Sequence, residues 1–231
     1  MDYKMINFAI LRVYKECNVK SFPIDCFKIL SIYGLKVYSY DSLPEDLKEY
    51  CLKFSEDAIN YRDIICYNNH LPVGRIRFSL MHELGHVILN HNQFKNNKLE
   101  QEANFFASNI LAPRMAIHYA KCINSNSVSK LFGMTNEAAQ YAFNDYIRWY
   151  RRVACFKMSS FDKALYSHFY NSKLKGFVYS IKKCAYCDTD IYNSNYFICE
   201  NCKGSDQIYR HFYPLDEDFL IAESQWLYGW L

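Results

Sequence analysis

The stretch SLMHELGHVILNH, residues 79–91, sets two histidines four positions apart in an apolar run. On a helix, positions i and i+4 lie on one face, so His82 and His86 can aim both imidazoles at a single point. Glu83 falls about 100° further around the axis. It is out of line with the two rings but within reach of a water held between them. Leu84, Val87, Ile88 and Leu89 mark the helix as buried, where two unpartnered imidazoles would be costly. Gly85 in its interior costs about 1 kcal/mol relative to Ala and points to another element packing close. Two neutral nitrogens beside a carboxylate base are what a zinc hydrolase needs: metal ligands His82 and His86, general base Glu83.

Such a centre needs a third protein ligand. On a continuing helix His91 would lie about 140° from His86 and point elsewhere. The next helical pattern, LEQEANFFASNILAP, has an apolar face of Leu99, Ala103, Phe106, Ala107 and Ile110. Measured from Ala103, Glu100 lies about 60° to one side and Glu102 about 100° to the other. Glu100 has Asn104 one turn later on its own side, placed to hold a ligand histidine from behind. Glu100 is therefore the expected third ligand and Glu102 the reserve.

A second constellation reads CAYCDTDIYNSNYFICENC. Cys184 and Cys187 form one knuckle, Cys199 and Cys202 another, and two knuckles make a closed tetrahedral thiolate site for a structural zinc. Tyr179–Lys182, a hairpin over Ile191–Ile198, and Gln207–Phe212 are the expected strands of a zinc ribbon. From residue 182 to 211, four cationic side chains face four acidic ones. That leaves no electrostatic footprint for phosphate, so direct nucleic-acid binding is not expected.

The rest of the chain reads as globular: 51% of its 231 residues are apolar and its net charge is +3. No apolar run reaches bilayer length and no signal peptide is recognisable at the start. A cytoplasmic protein with reduced thiols is expected, with no membrane partner. Periodicity predicts helices at 3–16, from Ser21 to Gly34 with Pro23 in the first turn, at 44–54, 100–111 and 160–170, and a helix–Gly133–helix unit from Ser127 to about Val153. Strands are expected at 35–40, 63–67 and 75–78, with Ser79 capping the histidine helix. The fold class is α+β. Domain boundaries fall at 1–125, 126–178 (helical, with a weak helix-turn-helix flavour), 179–213 (ribbon) and 214–231 (amphipathic helix).

RFSLMHELGHVILNH followed by LEQEANFFASNILAP resembles the ImmA/IrrE group of metallo-endopeptidases over roughly residues 60–115. One departure is Leu111-Ala112-Pro113, where that group often has Leu-Met-Pro. The resemblance implies a zincin-like fold, His82, His86 and an acid of the second helix on zinc, and Glu83 as base. It also implies a partner substrate, a helix-turn-helix (XRE-family) repressor whose cleavage serves mobile-element or stress control. An oxyanion donor is expected as well, with Tyr119, His118 and His168 as candidates. The Arg75–Phe78 strand would offer its edge to an extended substrate. The competing reading is a DNA-binding or toxin–antitoxin regulator whose zinc sites are both structural.

Overall fold

In the computed structural model, residues 3–91, 96–155 and 158–203 are described, and they fall into two compact units, 1–180 and 181–231. The expected Gln207–Phe212 strand and the 214–231 helix lie outside the described residues.

The first unit is mainly helical. Helix α1 (Tyr3–Glu16) buries Ile6, Ile10, Val13 and Tyr14, a stripe at helical spacing. The Tyr14 hydroxyl donates to the Ile110 carbonyl at 2.8 Å. Helix α2 runs Cys26–Ile32 and starts later than expected, because Asp25 caps it by accepting from the Lys28 N–H. Pro23 thus precedes the cap. Strand β1 (Lys36–Ser39) is followed by a 3-10 turn at Tyr40–Ser42, α3 (Glu45–Phe54), β2 (Ala58–Tyr61) and β3 (Ile64–Tyr67). The sheet order is β1-β3-β2, with β1 parallel and β2 antiparallel to β3. The β2–β3 hairpin escaped the sequence reading because its turn uses Arg62 at φ 59°, not the glycine or asparagine that signals such turns.

The expected strand at Arg75–Phe78 does not exist. Those residues lie in α4, which runs Val73–Ile88 from a Pro72 start. Arg-Ile-Arg-Phe alternates like a strand, but Ile76, Leu80 and Leu84 also repeat at helical spacing, and short apolar runs do not discriminate. Ser79 is consequently no cap. It sits inside α4, its hydroxyl donating to the Arg75 carbonyl.

Helices α5 (Asn97–Leu111), α6 (Arg114–Tyr119), α7 (Ser125–Phe132), α8 (Asn136–Cys155) and α9 (Ser160–Phe169) complete the unit, with a short β4–β5 pair (Tyr170–Asn171, Gly176–Phe177). Side chains of all five helices join one core with α1 and α4. Helix α4 is seated by two devices. Arg77 donates to the carbonyls of Ile24 (2.8 Å) and Gly133 (3.0 Å), tying the approach to α2 and the end of α7 to α4. Gly74 lies against the α7–α8 connection, where an added Cβ would stand 2.7 Å from Met134 C and Thr135 N. Backbone atoms cannot step aside as a side-chain tip can, so Gly74→Ala should destabilise the unit by about 1–3 kcal/mol. Denaturant unfolding of the variant checks this, and an unchanged midpoint would contradict it.

Asp162, 2% exposed, pairs with Arg114 at 2.9 Å and, with Ser159, boxes the start of α9. Burial alone would raise its carboxyl pKa. The Arg114 charge and the Ser159 hydrogen bonds outweigh that and hold it below the usual carboxylate range. A depressed folded pKa contributes stability above the unfolded value of about 3.9, lost as pH falls further. Asp162→Asn should cost about 3 kcal/mol at neutral pH by leaving Arg114 unmatched. It should also flatten the acid limb of a stability–pH profile below about pH 4.

In the second unit β6 (Ile181–Lys183) pairs antiparallel with β7 (Asp190–Tyr192), and α10 spans Glu200–Lys203. The hairpin therefore encloses the first cysteine knuckle, not residues 191–198. The knuckle is itself the turn, closed by the Cys184 N–H donating to the Thr189 carbonyl at 2.9 Å. Among the described residues, no helix is long and apolar enough to cross a membrane.

Candidate metal centres

The histidine group is built by α4 packing on α5, and Gly85 permits the approach. A Cβ there would lie 3.1 Å from Phe106 Cδ1 and 3.3 Å from Ala103 Cα. His82 Nε2 and His86 Nε2 stand 3.0 Å apart. Glu100 turns one carboxylate oxygen to within 3.2 Å of His82 Nε2 and the other to 3.6 Å from His86 Nε2. Ligands at zinc distances in a tetrahedron lie about 3.3 Å from each other, so this donor set fits a zinc ion. Glu102 turns away and meets His91 at 3.4 Å.

The far sides of both rings are held. Asn104 Oδ1 lies 2.9 Å from His82 Nδ1, and an amide oxygen only accepts, so the ring proton sits on Nδ1 and the Nε2 lone pair is bare. His86 Nδ1 meets His91 Nδ1 at 3.0 Å. With the other nitrogen of His91 donating to Glu102, His91 accepts from His86, and the Nε2 lone pair of His86 is bare too. Burial lowers the pKa of both ligand imidazoles, and His82 pushes that of His86 down further. Both rings are therefore neutral, as metal ligation requires.

His91 thus does not point elsewhere. The 140° estimate assumed a continuing helix, but α4 ends at Ile88 and Asn90 adopts φ 54°. The chain folds back, and His91 is 5% exposed against His86. Only the left-handed preference of asparagine signalled this in the sequence. Breaking the His91–Glu102 brace with Glu102→Gln should weaken zinc binding about 10–100-fold and leave the metal stoichiometry intact. A competition titration with a chromogenic chelator measures that.

Glu83 follows His82 on α4 and is half-buried. Burial pushes its carboxyl up to about 8, with the nearby Glu100 charge adding to the effect. A divalent cation beside it acts in the opposite direction. Tyr119, His118 and His168 are engaged in aromatic clusters of their own. Tyr119 stacks on Phe177, His118 lies against Tyr150, and His168 stacks on Tyr14 while donating to the Val19 carbonyl.

Cys184, Cys187, Cys199 and Cys202 bring their sulfurs within 4.8 Å of one another. Cys187 and Cys199 are 3.6 Å apart, near the about 3.8 Å edge of a tetrahedral zinc–thiolate site. The backbone N–H of Cys199 points at Cys184 Sγ and lowers that thiol's pKa to about 6. None of the four is in a disulfide, and four thiolates complete a closed tetrahedral set.

Residues 31–144 match the model of the IrrE N-terminal-like domain, the M78 peptidase family. Among curated proteins, none matches significantly. A solved structure, described as a Mycobacterium tuberculosis transcriptional regulator, is similar at 15% identity and a TM-score of 0.43. The match covers 59% of this chain and 45% of that one, so this chain spans under half the length of the relative.

Proposed function

From its membership of the M78 peptidase family through an IrrE N-terminal-like domain, we propose that this protein is a zinc-dependent endopeptidase of zincin-like fold. The convergence of His82, His86 and Glu100 carries the reading. Two neutral nitrogens and one carboxylate are a catalytic zinc set, with a position left for water. Zinc held there supplies a Lewis acid for the scissile carbonyl and activates water. Glu83 takes the proton of the attacking water and returns it to the leaving amine nitrogen. Asn104 and the His91–Glu102 pair fix the ring orientations and keep both Nε2 atoms free for the metal. The four-cysteine group holds a second, structural zinc.

The substrate in this reading is an XRE-like repressor in the cytoplasm, inactivated by limited cleavage. Co-expression with a helix-turn-helix repressor encoded beside the gene tests it. Wild type should shorten the repressor and Glu83→Gln should not. Specific DNA binding by this chain with an intact repressor would favour the non-enzymatic alternative.

A further inference from the structure

The Arg75–Phe78 strand edge being absent, the route of the substrate past the metal group has to be found elsewhere. A cleft of about 1540 Å³ opens between α1, α4, α5, α6, α8 and α9. It begins one helical turn from the metal ligands on both helices: Phe78 and Ser79 precede His82 on α4, and Asn104 follows Glu100 on α5. Small-molecule pockets run to about 1,000 Å³, so this space suits a length of polypeptide.

Its floor is polar in an unusual way. Asn7, Ser79, Ser108, Asn109 and Asp162 line it, five of the seven buried polar residues among those described. Asn7, 7% exposed, lies in this lining. Asn109 donates to the Phe105 carbonyl, which leaves its Oδ1 to accept. Asn104 spends Oδ1 on His82 and leaves its NH₂ group to donate. Two further lining atoms, the acceptor Asp145 Oδ2 and the donor Trp149 Nε1, are buried with no partner among the described residues. A buried polar atom without a partner is costly, and the ligand that satisfies donors and acceptors together is another amide, the peptide main chain.

The walls set the side-chain preference. Tyr141 and Phe105 flank the cleft, with Trp149 and Phe161 deeper. Three of its four guanidiniums sit in ion pairs: Arg75 with Asp57 at 2.6 Å, Arg114 with Asp162 at 2.9 Å, Arg148 with Asp145 at 3.5 Å. With Lys4 and Arg152 the lining carries five cations against the four acids Asp57, Glu137, Asp145 and Asp162. So close a balance leaves little field to select an ionic side chain. The geometry points to this cleft as the substrate-chain site of the peptidase, taking an apolar, aromatic-bearing polypeptide segment whose main chain is bound by Asn7, Asn104 and Asn109. The inference rests on the peptidase reading for the word substrate, but not for the binding.

The test uses zinc-loaded Glu83→Gln protein, which needs no turnover, on an array of short synthetic peptides of random sequence. Peptides rich in Phe, Tyr, Trp and Leu should be retained. Asn7→Leu, and Tyr141→Ser, on a 66% exposed side chain, should each weaken binding roughly fivefold, the worth of about one kcal/mol. A photo-crosslinking residue at position 141 should capture the peptide, and one at Tyr61 on the β2 edge should not. No retention, retention without apolar preference, unchanged affinity in both variants, or capture at 61 alone each overturns the inference. If peptides bind in the cleft and zinc-loaded wild type cuts none of them, the peptidase reading falls and the cleft stands.

Discussion

Glu83→Gln should lower peptide-bond cleavage by about 10²–10⁴-fold and leave zinc bound. That is the range for losing a positioned general base, and Glu83 is no part of the His82–His86–Glu100 donor group. Glutamine keeps the size of the side chain and removes its ability to take a proton. Because Glu83 is half-buried and its carboxyl is pushed up by desolvation, exchanging it for a neutral amide should not lower stability, so lost activity cannot be ascribed to unfolding. Single-turnover cleavage of the repressor, with zinc content and thermal unfolding measured on the same preparation, separates the possibilities. Retained turnover would remove Glu83 from the role of base.

Replacing Cys199 by Ser, or stripping zinc with a strong chelator, should abolish the cooperative folding of the second unit. The described part of that unit has two three-residue strands and one four-residue helix, too little to bury a core of its own. In such modules metal binding and folding are one event, so losing a thiolate removes the folding free energy of the whole module. Backbone amides of residues 181–203 should exchange freely in Cys199→Ser, while those of α4 and α5 keep their protection. Protection retained at 181–203 without metal would show that the thiols are not structural ligands.

Much of the histidine group was legible because its information is local. A four-residue spacing on a helix is a geometric statement, and so is the same spacing between Glu100 and Asn104. The choice between Glu100 and Glu102 was only weakly legible, since their positions on α5 allow either. Packing around Gly85 and the turn at Asn90 settle which carboxylate meets which ring in the structure. His91 was misjudged for the same reason: one left-handed residue undoes any helical extrapolation. The Arg75–Phe78 segment failed differently. Four residues carry both periodicities, and the tertiary contacts of Arg77 and Gly74, which the sequence does not display, decide for helix. The knuckle cysteines announced their cluster, but not that the first knuckle would be the hairpin turn. The cleft was invisible to sequence reading, because its lining residues come from six helices and no motif joins them.

Zinc content of three purified proteins tests the centre most directly. Wild type should carry two zinc ions per chain, one at the histidine group and one at the cysteines. Glu102→Gln should keep both under saturating metal. Glu100→Ala should keep only the cysteine-bound ion, since it deletes the donor that faces both imidazoles at 3.2 and 3.6 Å. Two ions in Glu100→Ala, or loss of one in Glu102→Gln under the same conditions, would contradict the ligand set on which the proposed chemistry depends.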